Sequence, residues 1–408
     1  MLNWARRFSI FCFLDNHAYQ QRFHEHECLL AAGFIKELER NSGHAFGDLW
    51  EFSNSNQDWL FGHFSYDLKN ETESLSSGNP DQVCFPDLYF FIPEILIELT
   101  EHSIKIGVAG TDHRKIFDEI RREPDSIKLK FSPPNIRERI SHKDYIETIQ
   151  RIRQHILYGD CYELNFCQEF FSEEAWIDPW NTYSLLSGHS PMPFGAFYKL
   201  RDKYLLCASP ERYLKKKGDI VLSQPIKGTA SRIHEHIALD EMEKTKLYHS
   251  TKDRSENIMI VDLVRNDLSR ISREGSVHVD ELYGIYSFPQ LHQMISTISG
   301  IMSEGLPWTE AIRATFPMGS MTGAPKRRAM QLIESYEKTK RGIFSGALGY
   351  CNPEKDFDFN VVIRSILYNE ANKYLSYQVG SAITYYSEAE KEYEECLLKA
   401  SAIMKSLQ

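Results

Sequence analysis

SENIMIVDLVRNDLSR (255–270) lies inside HSTKDRSENIMIVDLVRNDLSRI (249–271), a strongly helical segment. Within it Asp253 and Glu256 stand three residues apart and so share a face. A second segment near the end of the chain, SEAEKEYEECLLKASAIM (387–404), repeats the pattern with Glu392 and Glu395. Either segment alone reads as a solvated acidic face. Together, two carboxylate pairs on two helices can converge on one hard divalent cation. Magnesium usually takes only one or two protein carboxylates and keeps positions for water and substrate.

Three further segments carry chemistry. In SQPIKGTASR (223–232), Lys227 sits between Ile226 and a Gly-Thr turn, where partial desolvation is expected to lower its pKa and make it a usable nucleophile. Taken alone, a surface turn lysine is the commoner case. In FPMGSMTGAPKRRAMQLIESYE (316–337), Gly319, Ser320, Thr322 and Gly323 precede a helix whose Pro325 fits the first turn. Backbone N–H groups and hydroxyls there predict an anion site, and the helix dipole favours negative charge. The loop is not of the GxxxxGK[ST] type. In FDFNVVIRSIL (357–367), Arg364 interrupts an apolar strand, where its fixed fork of donors suits a carboxylate of substrate or, equally, of the protein itself. These segments describe an enzyme acting on a small carboxylated substrate with a magnesium ion, without naming the reaction.

Composition sets the frame. The 408 residues include 57 acidic and 47 basic ones, a formal net charge of −10, which excludes general nucleic-acid binding for want of a basic face. An anionic substrate then requires local cations or a metal. The eight cysteines form no CxxC pair, so zinc and thioredoxin readings have no support and reduced thiols in a cytoplasmic protein are expected. Cys161 and Cys167 have the even spacing of one strand face. No run reaches the ~18 apolar residues of a membrane helix, and FSIFCFL (8–14), which faintly resembles a signal peptide, reads better as a first strand.

FGHFSYDL (61–68) and FPDLYFFIPEILIEL (85–99) read as strands ending at turn residues. The proline pair and charges of EPDSIKLKFSPPNIRERI (123–140) mark the best boundary, between an N-terminal portion 1–135 and a catalytic portion 136–408. Their shared strand-rich texture is equally consistent with one intertwined α+β domain. HKDYIETIQRIRQHILYGD (142–160) predicts a helix stopped by Gly159, followed by a strand in which residues 162, 164, 166 and 170 alternate.

From about residue 140 onward the chain resembles the chorismate-utilising enzymes, and most closely their aminodeoxychorismate synthase component I branch. GDCYELNFCQ (159–168), SPERY (209–213), PIKGT (225–229), SENIMIVDLVRNDLSR (255–270), GSMTGAPKRRAM (319–330), RGIFSGALGY (341–350) and EKEYEECLLKA (390–400) carry the resemblance, all in the family's order. It implies a large α/β sandwich of two packed, mainly antiparallel sheets with helices outside. It also implies amination of chorismate at C4 to 4-amino-4-deoxychorismate, on the way to p-aminobenzoate and folate. In that branch a lysine is held to attack C2 while the C4 hydroxyl leaves; ammonia then adds at C4 and expels the lysine. Carried over, Lys227 is the nucleophile and Glu211 the acid for the leaving hydroxyl. Glu256 and Glu395 match magnesium ligands, with Asp253 and Glu392 in support. Arg364, Ser320, Thr322, Gly323, the Gly380–Ser381 turn, Lys399 and Gln293 fall at or beside substrate-contacting positions. No glutaminase module is recognisable, so ammonia is expected from a separate glutamine amidotransferase subunit.

Anthranilate synthase component I and the isochorismate-forming relatives usually carry alanine where Lys227 stands. Anthranilate synthase component I is therefore the rival enzyme, and a non-catalytic chorismate-binding homologue the rival of a different class. Four departures from the family pattern motivate the latter: Gln293 for histidine, Phe344 for tyrosine, Ala382 for a turn glycine, and Tyr386 for aspartate. Gln293 donates hydrogen bonds but takes up no proton. His292, its neighbour, points elsewhere and cannot stand in.

Overall fold

The computed structural model describes residues 1–19, 23–110, 112–124, 133–289 and 291–408; part of the 123–140 boundary segment thus lies outside the described residues. Two large sheets, of eleven and ten strands, make up the architecture, and the pairings within them are antiparallel. This is the α+β sandwich that the resemblance implies. A core drawn from both sheets packs Cys12, Leu29, Cys167 and Leu205 of the first with Phe61, Leu214, Ile298 and Phe359 of the second. A second core lies between the first sheet and the helices His142–Leu157, Pro179–His189, Lys326–Tyr336 and Ala389–Ser406.

The N-terminal strands belong to both sheets. Ile10–Asp15 pairs with Phe194–Leu200 in the first, and Leu60–Phe64 with Ala347–Cys351 in the second. The expected FSIFCFL strand is the first of these. FPDLYFFIPEILIEL, expected as one strand, is two. Leu88–Ile92 lies in the second sheet and Ile95–Thr100 in the first, because Pro93 has no N–H to continue a ladder.

FDFNVVIRSIL divides in the same way. Phe357–Val361 belongs to the second sheet, Ser365–Asn369 to the first, and Arg364 sits at the crossing with φ 51°. Few non-glycine residues adopt that left-handed conformation, and here it turns the chain from one sheet to the other. Ser209–Pro210–Glu211 makes a neighbouring crossing, between strands Lys203–Ser209 and Arg212–Lys217. The two crossings are tied to each other, with Ala208 N–H donating to the Arg364 carbonyl at 3.2 Å and Val361 N–H to the Glu211 carbonyl at 3.0 Å.

His142–Leu157 forms the expected helix, with the Ser141 side chain accepting from the Asp144 N–H as its cap. Its end falls before Gly159, at φ 84°. Glu163–Ser172 follows as a strand buried along its whole length. Cys161 precedes that strand and packs in the helix-covered core, whereas Cys167 packs between the sheets, so the two do not share a face. The cysteines are free, and only Cys84 is exposed. Among the described residues no helix is long and apolar enough to cross a membrane.

Candidate active site

Lys227 lies on strand Ile226–Ser231, at the edge of the second sheet, and reaches Glu163 at the start of its strand in the first sheet. Its Nζ donates to Glu163 Oε1 at 2.8 Å. Burial pushes the pKa of this ammonium down. The carboxylates of Glu163, Glu256 and Glu211 outweigh burial, and the net shift is upward. The expectation of a lowered lysine pKa is thereby corrected: the side chain is desolvated, but among anions. The Gly-Thr turn beside it is shaped by φ 92° at Gly228, where a Cβ would come within 2.9 Å of Asp253 Oδ1.

Glu211 is buried, and burial raises its carboxyl to about 7 against the opposing pull of Ser320, Lys227, the Ile226 N–H and Arg364. It therefore carries a proton over part of the neutral range, as a general acid must. Arg364 has no carboxylate within ion-pair distance among the described residues, and its guanidinium donates to Met192 Sδ, 3.9 Å from Nη1. Burial lowers its guanidinium to about 10, partly offset by Glu211. A partly buried guanidinium without a carboxylate partner is a strong attractor for an incoming one.

Helices Thr251–Ser269 and Ala389–Ser406 bring the predicted carboxylates together. Lys252 Nζ stands 3.4 Å from Glu392 Oε1, 3.8 Å from Glu256 Oε1 and 4.0 Å from Glu395 Oε2. Among the described residues no three His, Cys, Asp or Glu side chains stand at metal-binding spacing. Two observations nevertheless fit a cation. Glu256 Oε1 and Glu392 Oε2 are buried with no hydrogen-bond partner, and burial raises Glu256 to about 7, opposed by Lys227 and Lys252. Glu395 moves the other way: burial raises its pKa, but Lys399, with Nζ 2.7 Å away, and other lysines bring it below the usual carboxylate range. Asp253 stands apart from this cluster, against the Gly228 turn.

The anion-binding turn takes a different form from the one expected. Ser320 is buried and faces Glu211. The Thr322 hydroxyl, by contrast, donates to the carbonyls of Met318 at 3.2 Å and Gly319 at 3.3 Å. Gly323 serves close packing, since a Cβ there would lie 2.1 Å from the Glu163 carbonyl. Pro325 is the residue that precedes the helix, not part of its first turn. Gly380 and Ser381 form no turn. They lie inside the continuous strand Tyr374–Ile383, paired with Cys167 and Phe166, and Ala382 extends the same ladder. Lys399 donates to the Gly380 carbonyl at 2.9 Å.

Gln293 is buried beside Thr229 on the neighbouring strand, with Oε1 unpartnered. His292 faces away from it, with Nε2 3.0 Å from Asp240 and Nδ1 2.9 Å from Ser287. Three residues with a structural claim on the site were not singled out from sequence: Glu163, Lys252 and Arg341. A charged residue within the buried run CYELNFCQEFF was the available signal for the first.

A family model described as chorismate binding enzyme matches residues 11–405. Aminodeoxychorismate synthase component 1 of Salmonella typhimurium is 32% identical over 355 residues, which cover 86% of this chain and 77% of that protein. An anthranilate synthase component I-like protein of Synechocystis is 31% identical over 355 residues, covering 86% and 72%. The crystal structure of anthranilate synthase component I from Streptococcus pneumoniae superposes with a TM-score of 0.83 at 25% identity, over 95% of this chain and 94% of that one. With the match running through both sheets and every segment of the site, the chain belongs to the family of chorismate-binding enzymes.

Proposed function

We propose that this protein aminates chorismate at C4 to give 4-amino-4-deoxychorismate, on the route to p-aminobenzoate and folate. The observation that carries this reading is Lys227, a largely buried amine bonded to Glu163 and under the electrostatic influence of Glu211, where the anthranilate- and isochorismate-forming branches usually have alanine. Relatives that bear the aminodeoxychorismate synthase name, in Salmonella typhimurium among others, support the same branch.

In this mechanism Arg364 binds one substrate carboxylate, while Ser320, Gln293, Lys399 and the Gly380–Ser381 backbone border the ring. Nζ of Lys227 forms a bond to C2 as the C4–O bond breaks. Glu211 protonates the departing hydroxyl, a poor leaving group that otherwise would not depart. Ammonia then attacks C4, the C2–N bond breaks, and its electron pair returns to Nζ. Thr322 and Gly323 act one step back, by fixing the Ser320 turn and the approach of the Glu163 strand. Glu256 and Glu395 would hold a magnesium ion, with Glu392 in support while Asp253 braces the Gly228 turn, and the ion would supply positive charge for a substrate carboxylate. Ammonia comes from a separate glutamine amidotransferase subunit, and the complex works in the cytoplasm.

Purified protein given chorismate, magnesium and ammonium should release aminodeoxychorismate, identified by mass. Fluorescent anthranilate would move the assignment to the rival enzyme. Chorismate binding without any product, even with an amidotransferase supplied, would leave a binding protein.

Glu211 gives the reaction a pH signature. Its acid form is present below about 7 and lost as the pH rises through that value. kcat/KM, which reports the free enzyme, should therefore fall on the alkaline side with a midpoint near there. Glu211→Gln should lose that limb and about 10²–10⁴-fold in rate. An unchanged alkaline limb in Glu211→Gln would remove Glu211 from the acid role.

A further inference from the structure

We infer that Glu163 is the proton acceptor for Lys227, taking the Nζ proton as the amine attacks and returning it when the amine departs. This rests on the reading of Lys227 as nucleophile. An ammonium has no lone pair, so the lysine must lose a proton before it can bond to carbon. The carboxylate placed to receive it is Glu163, whose Oε1 lies 2.8 Å from Nζ. No other carboxylate is within 4.0 Å of Nζ among the described residues.

The second oxygen points the same way. Glu163 is 1% exposed, and its Oε2 is buried without a hydrogen-bond partner. Oε1 thus has Nζ as its partner and Oε2 has none, so the carboxylate has room to accept a proton from the amine. Moving the proton across that short contact turns the ion pair into a neutral amine and a neutral acid.

The surrounding groups leave the role to Glu163. From helix Thr251–Ser269, Glu256 acts on Lys227 at longer range, Asp253 lies against Gly228, and Lys252 is engaged with Glu392, Glu256 and Glu395. From the sheet crossings come Glu211, committed to the leaving hydroxyl, and Arg364, which faces Glu211. Glu163 is also held rigidly. Its strand is clamped between Gly323–Ala324 and Tyr374–Ile383, and Gly323 lets the backbones approach.

The protons and electrons balance. Glu163 takes one proton from the Nζ ammonium, and the freed lone pair forms the C2–N bond. The C4–O bond breaks and the oxygen leaves as water with the Glu211 proton. Ammonia bonds to C4 and gives its surplus proton to Glu211, the C2–N pair returns to nitrogen, and Glu163 gives its proton back. The net change is chorismate and ammonia to aminodeoxychorismate and water.

Glu163→Gln keeps the size and a hydrogen-bond acceptor but cannot take the proton. At pH 7 its kcat should fall about a hundredfold or more, with KM within about threefold. Solvent must then deprotonate Lys227, so the ratio of variant to wild-type kcat should rise about tenfold per pH unit above 7; taking the ratio cancels the Glu211 titration, which both share. Glu163→Ala, with the carboxylate removed altogether, should be rescued saturably by formate and not by chloride. A ratio that stays level with pH, an effect confined to KM, or an alanine variant that formate does not rescue would each overturn the inference. Wild type and Lys227→Ala run alongside separate the two levels. Turnover surviving in Lys227→Ala refutes the lysine step itself, whatever Glu163→Gln does.

Discussion

Lys227→Ala is expected to reduce aminodeoxychorismate formation by ~10³-fold or more, because it deletes the atom that bonds to C2. Charge alone predicts a smaller effect of a different kind. Lys227 is the cation among Glu163, Glu256 and Glu211, and chorismate brings two more carboxylates. Its loss should weaken substrate binding as well as turnover. Lys227→Arg separates the two: it retains the charge and a donor for Glu163 but offers no nucleophile. Chorismate affinity should therefore recover toward wild type while kcat stays at the level of the alanine variant. An arginine variant that keeps a tenth of wild-type kcat would mean the residue acts only as a cation. Wild type given chorismate without ammonium should, in addition, accumulate protein heavier by one chorismate less water, and Lys227→Arg should not.

The sequence made the site's inventory legible more readily than its arrangement. Lys227, Arg364 and the two acidic helices stand out because each places a charged or reactive side chain in an apolar or turn-rich setting, whereas Glu211 enters only through the resemblance; the structure brings them near one another. Periodicity failed where one run serves two sheets. The segments 85–99 and 357–367 are mostly apolar, and nothing in such a run says where it changes layer. Only Pro93 marked the first break, and the left-handed Arg364 the second. The Gly380 turn went wrong for a related reason. Glycine permits a turn, but here it permits a close approach instead, since a Cβ would lie 2.3 Å from the Phe166 carbonyl. Glu163 lies inside GDCYELNFCQ (159–168), a motif that by itself gives it no role. Its partner lies 64 positions away and in another sheet, a relation that no local pattern carries.

Arg341→Met is expected to destabilise the protein by about 3–5 kcal/mol, the range for removing one partner of a buried ion pair. The RGIFSGALGY segment thus matters for more than its resemblance. Arg341 is 2% exposed and donates to both oxygens of Glu337, to the Met321 carbonyl at 2.6 Å and to the Asn165 carbonyl at 2.8 Å. Its guanidinium lies 4.5 Å from the Tyr66 ring centroid, and Glu337 Oε1 also accepts from the Cys167 N–H at 2.9 Å. One side chain thereby joins the turn that carries Ser320 to the strand that carries Glu163. Methionine fills much of the volume but strands a carboxylate and two carbonyls. The urea midpoint should drop accordingly, and the remaining folded enzyme should lose kcat as the Ser320 turn and Glu163 drift relative to Lys227. Arg341→Met combined with Glu337→Leu removes the stranded charge and should restore part of the midpoint, short of wild type because the Cys167 N–H and both carbonyls still lack partners. A single variant within about 1 kcal/mol of wild type would show that water or another donor replaces the guanidinium, and that the strand and the turn hold their places without it.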